Sequence, residues 1–371
     1  MPATADVTLV VMIAARSEIS TPWRDRTVPQ SSDIRALLQS GAVFAWSQDH
    51  WLIAWGRPEK RASADPGRPS FYAPDFFLED PQPWRVYPRS AAVSPDGLAQ
   101  MLAVATAPRT WQPFDEAAYA ETFGRVQTAL AQGDWRKAVP AVFETSDGSL
   151  TAAERENALR ALVNLPTGLM PYGCWDEDGG VIGASPELLF EDDGVEIHTM
   201  AVAGTARAGA APDEMMNDPK ERTEHRLVLD DLETQLRPLG PVSRGATRPW
   251  RIGILSHLRT DLRLTPSRPV VFDALVRRLH PTPAVGLAPR GDWAASLAAL
   301  DGAPRGRFAA PFGLVLPGGG SRCVVGIRQV QWDRQTTRCG AGCGLVEGSR
   351  LEREIAELRL KLTATRGNLA L

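Results

Sequence analysis

Two glutamate pairs share one spacing. Glu221 and Glu224 sit three apart in "DPKERTEH", and Glu354 and Glu357 sit three apart in "EREIAELRLK". Residues three and four apart are neighbours on a helix. The first pair then shares one side with His225, and the second shares one with Lys361. If the two sides meet, four carboxylates converge. Such a cluster is costly unless protons or cations offset the repulsion. Hard oxygen donors suit Mg²⁺, which takes one or two carboxylates and keeps several waters. Spacing alone favours a plainer reading, with Glu221 as a cap residue and Glu357 with Lys361 as an ordinary surface pair.

Both segments carry helix signals. In the first, Asp218 stands as N-cap, Pro219 at the first helical position and Glu221 at N3, and Pro238 closes the helix. In the second, Ser349 and Glu352 fit a capping box, and Leu351, Ile355, Leu358 and Leu362 form a buried stripe. At about 100° per residue, Glu354, Glu357 and Lys361 lie about a quarter turn from that stripe, at the border of the core.

Tyr119, Phe123, Val126 and Leu130 mark another helical face, stopped by Gly133. "RKAVPAVFE" reads as a strand in which Pro140 demands an edge or a bulge. "NALRALVNL" reads as a helix ended by Pro166, and "FDALVRRLH" as another. Residues 172–204 read as strands joined by tight turns at "DEDGG" and "EDDG". "FGLVLPGGGSRCVVGIRQVQW" reads as a hairpin turning at Pro317 to Gly320, and "CGAGCGLV" ends a strand before the last helix. Upstream, "VTLVVMIAA", "AVFAWS" and "WLIAWG" are strand-like pieces between turn-rich stretches. Antiparallel pairs with helices between them, without regular βαβ alternation, predict an α+β fold. Residues 1–110 are expected to complete the fold of a catalytic domain spanning 111–371.

The bulk numbers fit a folded, water-facing chain. It has 371 residues, 43% hydrophobic and 23% charged, with a formal net charge of -3. No basic block suggests nucleic acid as a partner. "LVVMIAA" is too short for a bilayer and has no basic residue before it, so neither membrane partner nor signal peptide is expected. Four cysteines in this length are no disulfide framework, and "CGAGC" lacks a second Cys/His pair for zinc. A reducing cytoplasm is the simplest setting.

"GASPELLF", "AVAGTARAG", "DPKERTEH", "LHPTPAVG", "PRGRF", "GIR" and "GAGCGLVEGSRLEREIAELRLK" occur in that order. Together, over roughly residues 112–365, they resemble the chorismate-utilising enzymes: isochorismate synthase, salicylate synthase, the large anthranilate synthase subunit and aminodeoxychorismate synthase. The resemblance implies large, mainly antiparallel sheets packed face to face with helices outside. It implies one Mg²⁺ held against the ring carboxylate of chorismate, with Glu224 and Glu357 as direct ligands, Glu221 and Glu354 acting through water, and Lys361 balancing charge. Glu187 in "GASPELL" takes the place of the general acid that protonates the departing ring hydroxyl. Its raised pKa is expected from the neighbouring carboxylates. Lys137 in "DWRKAVP" takes the place of the lysine base that activates water. Gly204 and Thr205 would hold the ring carboxylate, and Arg328 would pair with the enolpyruvyl carboxylate. The backbone of Gly342 and Gly344 would serve that same carboxylate, and His257 and Phe308 would stand near the substrate.

Ala203 replaces the lysine that attacks the ring in aminodeoxychorismate synthases, which argues against that branch. The "LLES"-like feedback motif of anthranilate subunits is not found, so no glutaminase subunit is expected. The implied reaction is conversion of chorismate to isochorismate by a monomer or weak homodimer. Salicylate synthase, which goes on to eliminate pyruvate, is the alternative. A chorismate-binding protein without turnover is another, motivated by the departures Val142, Leu287 and Ala310 from the family pattern.

Overall fold

The computed structural model describes residues 29–103, 109–207 and 212–371. The "VTLVVMIAA" stretch lies outside the described residues. Among the described residues, two antiparallel sheets carry most of the strands. The first runs in the order Arg89–Val93, Trp51–Trp55, Gly41–Ala45, Met170–Trp175, Gly180–Ser185, Gln329–Trp332, Thr336–Gly342 and Ala141–Asp147. The second runs Val242–Arg244, Leu255–Leu264, Ile197–Arg207, Leu188–Asp192, Ser321–Val325, Pro311–Val315, Ser70–Tyr72, Trp84–Val86 and Glu59–Arg61. Arg248–Ile252 also pairs with Leu255–Leu264.

Burial shows how the sheets stack. An antiparallel strand with one wet face alternates buried and exposed residues. Gly41–Ala45, Trp51–Trp55 and Gly180–Ser185 are buried throughout. Ala42, Phe44 and Leu52 share a core with Phe71, Phe312 and Leu314 of the other sheet, and the rings of Phe44 and Phe312 stack 6.1 Å apart. The alternate residues Val43 and Ile53 belong to a larger core with Leu37, Leu159, Val228 and Leu358, all from helices. The face-to-face α+β arrangement expected from the sequence is therefore present. No helix among the described residues is long and apolar enough to cross a membrane.

Most local expectations hold. Asp115 caps Glu116–Gln132, and Gly133 ends it with a φ of 79°. Asp218 caps Pro219–Leu236 by accepting from the backbone N–H groups of Lys220 and Glu221. Pro140 splits its strand: Ala141–Asp147 takes an edge of the first sheet, while Lys137–Ala138 pairs with Leu287–Ala288 in a separate two-stranded ribbon. The last helix corrects the reading. It spans Leu351–Leu369 with Arg350 as N-cap and no side-chain cap bond. Ser349 is not its cap, because the Ser349 hydroxyl accepts from the Val346 N–H at 3.2 Å.

The hairpin expected through "GIRQVQW" is also corrected. Pro311–Val315 and Ser321–Val325 do form one, but the chain then leaves for the other sheet through Gly326–Arg328. Arg328 makes that departure with a left-handed φ of 56°, an uncommon conformation outside glycine. A second crossing, through Pro186 and Glu187, joins Gly180–Ser185 to Leu188–Asp192. The crossings are laced together. The Val325 N–H donates to the Glu187 carbonyl at 3.0 Å, and the Ala184 N–H to that of Arg328 at 3.1 Å. The Ser185 hydroxyl donates to the Val325 carbonyl at 2.6 Å.

Candidate active site

The two crossings open onto a cavity whose free space, part of it open to solvent, is about 700 Å³. Glu187, Gly204, Glu224, His257, Phe308, Arg328, Gly342, Gly344 and Lys361 all line it. These residues come from segments more than 150 positions apart, so the fold gathers what the sequence left scattered. The side chain of Thr205 lies outside the described residues.

Glu187 is 4% exposed. Burial pushes its pKa up to about 7, against the pull of Lys137, a Thr282 hydrogen bond and Lys361. The sequence reading gave neighbouring carboxylates as the cause, but the cause is desolvation, and the nearby charges work the other way. A carboxyl poised near neutrality can hold a proton for a leaving group.

The opposite charge collects around it. Arg328 lines the cavity, and its Nη1 is buried with no hydrogen-bond partner among the described residues. Burial lowers its pKa to about 10, so it stays cationic near neutral pH. A buried donor without an acceptor costs about 1–3 kcal/mol, and a ligand carboxylate would remove that cost. The Lys361 ammonium donates to the Gly342 carbonyl at 2.8 Å and pairs with Glu357 at 2.5 Å. His257 donates from Nδ1 to the Gly204 carbonyl at 3.0 Å. Burial, Arg328 and Lys361 lower its pKa to about 3, leaving the ring neutral.

Lys137 is fully buried, with Nζ 3.0 Å from Glu224 Oε1. It stands behind Glu224 and is not part of the cavity lining. Glu224 is held well below the usual carboxylate range. Burial raises its pKa, but Lys137 and Lys220 outweigh it. Gly344 makes room for this pair. A Cβ there would lie 2.1 Å from Glu224 Oε1 and 2.6 Å from Lys137 Cε. Gly344→Ala is expected to lower stability by about 1–3 kcal/mol through overpacking, read as a drop in thermal midpoint, and to cut turnover with it.

The acidic helices do approach each other. Glu221, Glu224 and Glu354 are all buried. They meet at a residue the sequence reading passed over, Lys220. Its ammonium lies 3.5 Å from Glu221, 3.7 Å from Glu224 and 3.2 Å from Glu354. Burial lowers the Lys220 pKa, but the three carboxylates more than reverse this and raise it. The signal was present in "DPKERTEH", where Lys220 is four before Glu224. Among the described residues, no three acidic, histidine or cysteine groups are gathered as a metal-ligand cluster. The Lys220 ammonium lies among these carboxylates instead. The donors still suit a hard divalent ion, because they are carboxylate oxygens and three of them lie 3.2, 3.5 and 3.7 Å from a single cation.

Val142, Leu287 and Ala310 are buried and none lines the cavity. These departures from the family pattern are packing changes. Arg305 is a lining residue that the sequence reading gave no role. It is 1% exposed and tied to Asp301 at 2.6 Å.

Residues 99–370 match the family described as chorismate binding enzyme. The chain belongs to that family. The salicylate biosynthesis isochorismate synthase of Pseudomonas aeruginosa is 33% identical over 208 residues, covering 54% of this chain and 44% of the relative. An isochorismate synthase of Bacillus subtilis is 29% identical over 237 residues, covering 59% and 48%. The matched stretch thus spans about half the length of these relatives. The menaquinone-specific isochorismate synthase of Escherichia coli has the same fold, with a TM-score of 0.76 over 94% of this chain and 92% of that one at 18% identity. Anthranilate synthase component I of Streptococcus pneumoniae follows at 0.65, covering 83% of each chain at 16% identity.

Proposed function

We propose that the protein is an isochorismate synthase that adds water to C2 of chorismate and expels the C4 hydroxyl. One observation carries the reading: a buried acid with a pKa of about 7 shares a cavity with Arg328, whose Nη1 has no hydrogen-bond partner among the described residues, beside a fully buried lysine. Arg328 receives the enolpyruvyl carboxylate. Glu187 holds the proton that leaves with the C4 hydroxyl as water. Lys137 acts as the base only as the neutral amine: its ammonium proton passes to solvent, and the amine then takes a proton from the incoming water. The double bonds shift, and atoms balance as an isomerisation. Ala203 lines the cavity and offers no amine to attack the ring. The four glutamates would hold Mg²⁺, which when bound supplies positive charge toward the ring carboxylate. Fixing both carboxylates supplies orientation, and the charged walls supply electrostatic stabilisation.

The test is a product assay on pure protein with chorismate and Mg²⁺, with and without EDTA. Isochorismate without pyruvate is expected, and EDTA is expected to stop it. Pyruvate together with a fluorescent phenol would identify a salicylate synthase. Ligand-dependent stabilisation without any product would identify a binder.

A further inference from the structure

Glu221, Glu224, Glu354 and Glu357 face three ammonium groups, from Lys137, Lys220 and Lys361. Two of those cations have separate duties. Lys137 is sealed beneath Glu224, and Lys361 is bound to the Gly342 carbonyl and Glu357. Lys220 alone touches three of the four carboxylates, and it draws them from both helices. It is also the most accessible of the three, with a side chain 21% exposed against 0% for Lys137 and 15% for Lys361. It stands in the first turn of Pro219–Leu236, on a flexible four-carbon stem that can swing toward solvent.

One ammonium shared among three carboxylates at 3.2, 3.5 and 3.7 Å leaves each of them only partly neutralised. A lysine offers three donors and one charge. Exchanging Lys220 for a divalent ion would add one positive charge at the point where three carboxylates from both helices meet.

We propose that Lys220 is a resident cation that holds the two acidic helices together in the metal-free protein and is displaced when a divalent ion enters. Lys220 then competes with the metal, rather than helping to hold it. It keeps the pocket from springing open between turnovers, and it sets the metal concentration at which the enzyme loads. The inference rests on the proposed Mg²⁺ site.

The experiment is calorimetric titration of Mg²⁺ alone into the EDTA-stripped, dialysed full chain, for wild type, Lys220→Gln and Lys220→Arg, beside thermal unfolding of each in EDTA. Lys220→Gln is expected to bind Mg²⁺ about tenfold more tightly, because no cation must be expelled. It is also expected to melt at a lower temperature in EDTA, where the carboxylates repel unopposed. Lys220→Arg keeps the charge and is expected to stay near wild type in both measurements. Its folded state also serves if Lys220→Gln does not fold: an unchanged, Mg²⁺-responsive Lys220→Arg beside an unfolded Lys220→Gln in EDTA, rescued by Mg²⁺, supports the exchange. Equal or weaker Mg²⁺ affinity in a folded Lys220→Gln overturns the role of Lys220 and leaves the metal site intact. No Mg²⁺ heat in any of the three proteins, with chorismate present or absent, overturns the metal reading itself, and the exchange with it.

Discussion

Glu187→Gln is expected to abolish isochorismate formation while making the folded protein more stable above neutral pH. The two effects have one origin. Burial lifts the carboxyl to about 7 from its ordinary 4.5, so the folded state binds the proton more tightly than the unfolded chain. Stability therefore falls as pH rises from about 4.5 to 7, as the native state is forced to ionise a desolvated group. Glutamine is never forced to do so. At pH 8 the variant should gain on the order of 3 kcal/mol, and below pH 4 nothing. Loss of a positioned acid costs about 10²- to 10⁴-fold in rate. The wild-type rate should fall about tenfold per pH unit above pH 7, where Glu187 loses its proton. Product assays and denaturant midpoints across pH 5–9 read both effects. A variant that loses activity and also loses stability at pH 8 would mean that Glu187 is a packing residue.

Lys137→Ala is expected to show the converse pattern. Turnover should fall by a similar factor for want of the base. Stability should fall as well, because the Glu224 carboxylate is left buried without its 3.0 Å partner. Removing one member of a buried pair costs about 3–5 kcal/mol. Lys137 holds Glu224 well below its ordinary pKa, so the stability it contributes is present above the unfolded glutamate pKa and is lost as pH falls. The deficit of the variant should therefore be largest at pH 7–8 and shrink in acid. Adding Glu224→Gln to Lys137→Ala should recover much of the stability and none of the activity, and a double-mutant cycle measures this coupling directly. Additive losses would mean that the pair is not coupled.

How far the sequence led depended on how local each feature is. Asp218, Pro219 and Glu221 announce a helix start through bonds made within four residues, and that start is where the sequence placed it. Gly133 and Pro140 act equally locally, and both did what their chemistry demands. The Ser349 capping box failed because the hydroxyl found a nearer donor in Val346, a contest that spacing cannot settle. The break at Arg328 was invisible for another reason. Its left-handed turn is imposed by a change of sheet, a tertiary event, and "GIRQVQW" carries no turn residue after Gly326 to announce it. Motif order named nine residues that line the cavity, Arg305 not among them. It did not find Lys220, because an ammonium among glutamates on a helix reads as solvent chemistry until two helices are seen to close on it.

The short crossings at Glu187 and Arg328 bear on how this scaffold can change its chemistry. Many enzymes place their working groups on long surface loops, where insertion and deletion are cheap routes to new substrates. Here the acid and the guanidinium belong to connections of only a few residues, spliced to each other and anchored in both layers. Lengthening either one would throw the two layers out of alignment. Exchanging one side chain for another on the fixed frame, as at the cavity-lining Ala203, leaves those connections intact. Mutagenesis aimed at a new product should therefore begin with point changes on the cavity wall and leave chain length alone.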